Sequence, residues 1–466
     1  MQALHTRGAV SASFDDPNLV SHAGLVPVMR LAQDAGLSES ADELVRLGGS
    51  QGANAGAKIG SIVAGMICGA DSIDDLDVIR HGALPKLFGG LRAPSTLGTF
   101  LRHFSYGHVS QVDKLSGQML VRLRARCPHL LAGLEQLAFV DIDAKITEVY
   151  GPGKEGAAFG YTKKRGLNFV VVTLSTPLSA PVVLTTRLRG GNAESRRGAA
   201  SLITQALKLA RRLGATATVI VRADSGFFSG SFVAAIRKAG ARFSITAQHN
   251  PAVATAIAGT ADDAWRQITY PRAIYDKDTD TWISAAEIAE TTLTAFTNPT
   301  QNPGRAVTAR LIVRRIRIGT QRSEQGELFP VYRYHPVFTD NTFDLPTAEA
   351  QHRDHAIVEQ VLADLNDSAL AHFPSGRLAA NAAWLALACL THNLLRAAGT
   401  LASIAHAKAR TATIRRDLIT VAARISRTAR HITLHLPINW PWQAAWHGLF
   451  TTTHTPPTPV TRHAAA

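Results

Sequence analysis

Cysteine is nearly absent, with Cys68, Cys127 and Cys389 the only three in 466 residues. They stand far apart and form no CxxC pair. This excludes a disulfide framework and a cysteine zinc site, and it fits a reducing cytoplasm. Acidic residues are scarce too, 35 against 49 Lys and Arg, which leaves a formal net charge of +14. That imbalance favours a polyanionic partner, nucleic acid ahead of an anionic membrane surface. The N-terminal "MQALHTRGAVSASFDDPN" lacks the apolar core of a secretory signal. The apolar stretch "AANAAWLALACLTHNLL" is interrupted by Asn381, His392 and Asn393, so it reads as a buried helix rather than a membrane span. "GPGKEG" lacks the spacing of a phosphate-binding loop, no cofactor motif occurs, and there is no internal repeat.

What is present is enough apolar residue, 46%, to bury a sizeable core, over a length that suggests two or three domains. Up to about residue 130 the pattern is helical. "SIVAGMICGADSIDDLDVIR" has Asp71 or Ser72 as a candidate cap, and "APSTLGTFLRHF" reads as a helix capped by Ser95. From residue 137 the pattern changes. "LAFVDID", "LNFVVVTLS" and "APVVLTTRLR" read as strands. An amphipathic helix follows, with Leu202, Ala206, Leu209 and Leu213 inward and Gly214 as its stop. "VIVRAD" and "ARFSIT" are further strands around a short helix. Residues 250–340 read as a separate β-rich insertion, in which core packing is the expected role of Trp265 and Trp282. Helix returns with "AEAQHRDHAIVEQVLADLND". The end is basic and closes on a flexible tail, "TTTHTPPTPVTRHAAA".

Carboxylates mark the chemistry. Asp141 and Asp143 alternate along one apolar strand, so they share a face. An acidic pair there is costly unless it is solvated, paired or bound to metal. Asp224 ends another apolar strand, where it either caps the following helix or holds a metal ion. Glu359 lies on a polar helical stripe with His352, His355 and Asn366, beside the apolar Ile357, Val361 and Leu365. A zinc site from His352, His355 and Glu359 is the alternative for that stripe. Carboxylates from two strand ends and a helix suit Mg²⁺, with Mn²⁺ as substitute. Two such ions about 4 Å apart activate an attacking oxygen and stabilise a leaving one on a phosphodiester.

The stretches "FVDIDAK", "GLNFVVVTL", "RLRGGNAES", "VIVRADSGFFS", "HRDHAIVEQVLADL", "GRLAANAAWLALACLTHNLLR" and "TIRRDLITVAARISRTARHITLHLP" resemble the DDE transposases of the insertion-sequence 1380 family, related to the insertion-sequence 4 group. The resemblance implies an α/β, ribonuclease-H-like mixed-sheet core, a helical N-terminal region and a β-rich insertion before the glutamate helix. It divides the chain into a helical DNA-binding region at 1–130, core segments at 131–249 and 341–400 around the insertion at 250–340, and a basic helical C-terminal region with its tail at 401–466. It assigns Asp143, Asp224 and Glu359 as catalytic, metal-holding acids, with Asp141 the alternative first acid. Lys145 stands where that family usually has a hydroxyl. His352, His355 and Asn366 replace its usual Tyr, Arg and Lys.

DNA contacts are expected from Lys163, Lys164, Arg165, Arg189, Arg222, Arg353 and His355, with Arg187, Arg196 and Arg197 nearby. Arg222 is also a candidate ion-pair partner of Asp224. The implied activity is metal-dependent cleavage at terminal inverted repeats, followed by strand transfer into target DNA by a homodimer in a synaptic complex. The implied setting is the bacterial cytoplasm, at the nucleoid and away from membranes. The alternatives are an inactive, transposase-derived DNA-binding protein and a non-transposing nuclease of the same fold.

Overall fold

Helices dominate the described chain up to about residue 130. The computed structural model describes residues 10–160, 162–276, 281–298, 300, 304–322 and 328–455. Helix α1 (Ala55–Cys68) is buried over almost its whole length and stops at Gly69, whose φ of 111° an L side chain rarely adopts. Helix α2 (Pro94–Arg102) buries Leu97, Phe100 and Leu101 as the spacing predicts. Its cap is Ala93 rather than Ser95, because Pro94 takes the first helical position, where a missing N–H costs nothing. Helix α3 (Tyr106–Arg126) begins with a reciprocal box between Ser105 and His108.

Five strands then form the centre of the sheet: β1 (Leu137–Glu148), β2 (Arg165–Thr176), β3 (Ser179–Gly190), β4 (Thr218–Ala223) and β5 (Arg242–Thr246). Their order is β3-β2-β1-β4-β5. β2 runs antiparallel to both β1 and β3, while β4 and β5 run parallel to β1. This is the ribonuclease-H-like arrangement that the sequence predicts. β1 has partners on both sides, so Val140 and Ile142 are completely enclosed. Helix α4 (Ala199–Arg212) buries Leu202, Ala206 and Leu209, and helix α5 (Gly230–Lys238) connects β4 to β5.

The β-rich stretch supplies β6 (Arg266–Asp276), β7 (Thr281–Ala295), β8 (Val307–Arg322) and β9 (Leu328–Thr339). It is not separate. β9 pairs antiparallel with β5 through Val337–Thr246, Phe338–Ile245 and Thr339–Ser244, so one sheet runs from core to insertion. Trp265 is half-buried beneath the Arg315 guanidinium, 3.9 Å from its ring centre. Trp282 is 70% exposed, contrary to the core packing expected for it, and meets the ring of Tyr275 at 5.4 Å.

The late helical stretch is divided. Helix α6 (Leu345–Arg353) passes through a tight 3₁₀ turn at Asp354–Ala356 into helix α7 (Ile357–Asn366). Helix α8 (Leu378–Ala402) is long and apolar enough to cross a membrane, but it is buried inside the protein for most of its length. It packs against α1, α3 and β3, joining the N-terminal helices to the sheet in one continuous core. The basic end is helical only in part: Arg415 and Arg416 lie in a helical stretch, but further on β10 (Ala423–Thr428) pairs with β11 (His431–His435) as a hairpin and with Leu19–Val20. Ala423 and Ile425 point in while Arg424 and Ser426 point out, which is the period of a strand. The tail residues 451–454 complete a final helix, and 456–466 lie outside the described residues.

Two polar groups on this frame carry predictions. β3 is an edge strand, and Asn393 of α8 completes it by accepting from the Val183 N–H and donating to the Val183 carbonyl, both at 2.7 Å. Asn393→Leu orphans two buried backbone groups. It is expected to cost about 3 kcal/mol in urea denaturation. Asp113 of α3 faces Arg187 and is pushed up to about 7 by burial, which the arginine only partly offsets. A carboxyl raised in the folded state contributes stability below its unfolded value of 3.8 and loses it as pH climbs to about 7. Asp113→Asn is therefore expected to raise Tm increasingly from pH 4 to pH 7 and by a constant amount above, a trend that thermal melts across pH check.

Candidate active site

β1 and β4 are parallel, with Asp141 opposite Arg222 and Ile142 opposite Ala223. The next step of that register sets Asp143, midway along β1, beside Asp224, which directly follows the carboxyl end of β4, where open α/β sheets form their sites. Asp224 accepts the Gly226 N–H at 3.0 Å and so caps the short turn Ser225–Phe227. Ser229 precedes α5 as its cap residue. Gly226 lies in close quarters: a Cβ there would meet the Ser195 side chain at 3.1 Å, which must give way slightly to admit it. Capping and a place at the acid cluster therefore coexist in Asp224.

Asp143 is half-buried and pushed up to about 6. Burial is the largest cause, and the charges of Asp224 and Glu359 add to it; the Ala144 N–H and His355 act the other way. Asp224 opens to solvent, yet it too is raised by the chain that crowds it, against relief from His355 and the Gly226 N–H. Glu359 stands exposed on α7, one turn beyond His355. The three acids thus form one field of negative charge with too little neutralisation of its own.

Asp141 has a different place. It is fully buried, and Arg222 grips it with two bonds, Nε to Oδ1 at 2.7 Å and Nη2 to Oδ2 at 2.8 Å. His355 Nδ1 lies 2.9 Å from the same Oδ1. Burial alone raises such a carboxyl, but Arg222 and His355 outweigh it and hold Asp141 below the usual range. Arg222 spends its remaining nitrogen on the Gln351 carbonyl and lies over the Phe139 ring at 4.1 Å. Its partner is Asp141, not Asp224, and at 2% exposure it has no face for DNA backbone. The clamp ties β1 and β4 to the 3₁₀ turn that presents His355 to the acids. Sequence reasoning puts Asp141 with Asp143 on one face of β1 but offers Asp224 as the partner of Arg222, which the structure gives to Asp141.

The other singled-out residues divide between scaffold and surface. His352 uses both ring nitrogens on Ser244 and Thr246, at 2.9 and 3.1 Å, and burial drives it down to about 3. The zinc alternative therefore fails at His352, and among the described residues no group of three His, Cys, Asp or Glu is placed to hold a metal ion. Arg189 binds Asn168 and the carbonyls of Glu194, Ser195 and Arg197, so it shapes the loop beside Asp224. Arg165 holds the carbonyls of Gly151 and Pro152. Arg353 pairs with Glu349 at 3.3 Å. Lys163 and Lys164 are exposed at the turn into β2, the latter 3.3 Å from Glu148. A cavity of about 490 Å³ beside the end of β1 gathers Lys145, Lys154, Lys164 and Asn366. Lys145 and Lys154 were not singled out for DNA; Lys145 carries a readable signal, because it continues the Asp141–Asp143 alternation.

The family described as Transposase DDE domain group 1 matches residues 2–455. No curated protein matches the chain.

Proposed function

Because this chain belongs to the Transposase DDE domain group 1 family, we propose that it is an insertion-sequence transposase of the 1380 type that cuts DNA at terminal inverted repeats and joins the freed ends to target DNA. The observation that carries the reading is the register of β1 and β4, which sets Asp143 beside Asp224 within reach of the charge of Glu359. DDE transposases work with divalent metal ions in general. The donor chemistry fits Mg²⁺ or Mn²⁺, since carboxylate oxygens are hard ligands and the mutual repulsion of these acids is offset only in part by His355. Asp143 and Asp224 would be the foremost ligands; among the described residues no three acids are gathered closely enough to hold an ion as they stand, so Glu359 would have to move toward the pair to complete a set for two ions. Bound divalent ions supply polarisation of the scissile phosphate and a more acidic attacking water.

The chain's own residues do the rest. The Arg222–Asp141 clamp fixes the strand ends, and His355, held by Asp141, offsets part of the repulsion among the acids. Lys163 and Lys164 contact the DNA backbone, and the helical region at 1–130 binds the repeat. Two ends must be held together, which calls for a homodimer. The setting is the bacterial cytoplasm, at the nucleoid. The test uses a labelled duplex carrying the sequence at the boundary of the element that encodes the chain. The purified protein is expected to nick that boundary in Mg²⁺ and leave a 3′-hydroxyl, with no product in EDTA; equal cutting in EDTA contradicts the reading.

A further inference from the structure

A second cavity, of about 420 Å³, opens on the same face of the sheet as the acids but toward the other end of β1, beyond the Arg222 clamp. Phe139, four positions before Asp143, lies in its wall. At about 3.3 Å per residue the cavity is thus roughly 13 Å along the strand from the acids. Its lining holds five cationic side chains, from Arg and Lys, against the two carboxylates Asp354 and Asp364. Arg222 and Arg353 are occupied elsewhere, as described above. Arg396 is not fully occupied. Its side chain is 8% exposed, Nη2 reaches Asp364 at 3.3 Å, and Nη1 is buried without a partner among the described residues.

Asp364 cannot supply the missing acceptor. It already accepts the Thr411 N–H and hydroxyl at 2.8 and 2.7 Å, so its oxygens are shared three ways. His392, equally buried in the same wall, comes to 3.5 Å from Asp364, a long contact that draws further on the same carboxylate. A buried guanidinium nitrogen with no acceptor is costly, and an oxyanion removes that cost. Lys408 and Arg410 stand exposed at the rim, where they add positive charge. Phe139, Pro181 and Ile357 supply apolar wall beside these cations, which suits a phosphate carried on an organic body better than a bare ion.

We propose that this cavity is a nucleotide-phosphate site, with Arg396 binding the phosphate from below and Lys408 and Arg410 from the rim. It is separate from the carboxylate cluster and does not depend on the role proposed for those acids. The phosphate belongs either to a DNA strand or to a free nucleotide. Calorimetric titration of the full chain with thymidine 5′-monophosphate at low ionic strength tests the site. Saturable binding is expected, weakened about tenfold in the rim variant Lys408→Gln/Arg410→Gln and lost in Arg396→Gln. Should Arg396→Gln fail to fold, the rim variant decides. Absence of saturable binding to the wild-type chain, or equal affinity in the rim variant, overturns the proposal. A DNA source shows as nucleotide binding competed away by duplex DNA, and a free nucleotide as binding retained in DNA-saturated protein.

Discussion

Asp224→Asn and Glu359→Gln are each expected to lower DNA strand cleavage by about 10³-fold or more, while the far-ultraviolet circular dichroism spectrum is unchanged. The size follows from the several kilocalories per mole that a metal-holding acid contributes to a phosphoryl transition state, since about 4 kcal/mol is a factor of 10³. The unchanged fold follows from geometry, because Asp224 opens to solvent at a strand end and Glu359 is exposed on its helix. Asp143→Asn is expected to lose as much activity, with an opposite mark on stability. Its carboxyl is pushed up to about 6, so ionising it at pH 7.5 strains the fold. The neutral amide is expected to raise stability by on the order of 2 kcal/mol. Gel assays of cleavage and urea melts of the same preparations check both parts. Cleavage by both Asp224→Asn and Glu359→Gln at the wild-type rate contradicts the three-acid site.

Arg222→Met is expected to destabilise the protein by about 3–5 kcal/mol, because it leaves the buried Asp141 with His355 as its one remaining side-chain partner among the described residues. Asp141→Leu leaves the buried arginine uncompensated and is expected to cost a similar amount. The double variant Asp141→Leu/Arg222→Met removes both charges and is expected to recover most of the loss, since a buried ion pair is often replaceable by apolar side chains of similar volume. Urea denaturation of the three variants gives the coupling directly. The sign also separates the two aspartates of β1: the neutral replacement of Asp143 stabilises, and that of Asp141 destabilises. If both substitutions destabilise alike, the division of roles between clamp and acid site is wrong.

The sequence shows the acids because they interrupt apolar strands, where a carboxylate is expensive. Asp224 stands out after "VIVRA", and the "DID" alternation places Asp141 and Asp143 on one face. Which of the two is clamped depends on the register of β1 against β4, set by pairing between residues about 80 positions apart; the clamp itself spans 81. The same distance hides the partner of Arg222, whose nearest acid in sequence is Asp224 and whose partner in space is Asp141.

Local pattern reads the long strands and α4 well, since each has a clean period. It fails where charge masks that period. In β10 the arginines around Ala423 and Ile425 resemble the polar face of a helix, although the alternation there is two. It also fails at the break between α6 and α7, because residues 352–356 include no glycine or proline to mark the 3₁₀ turn. That turn carries His355 to Asp141, a tertiary contact with no local signature.

The most direct measurement of the central claim is the position of Mn²⁺, located by its anomalous scattering in crystals of the full chain bound to a cleavable DNA end. The account predicts a peak contacted by Asp143 and Asp224, absent in Asp224→Asn, with Asp141 still held by Arg222. A peak coordinated by Asp141, or none at these strand ends while DNA is bound and cut, contradicts it.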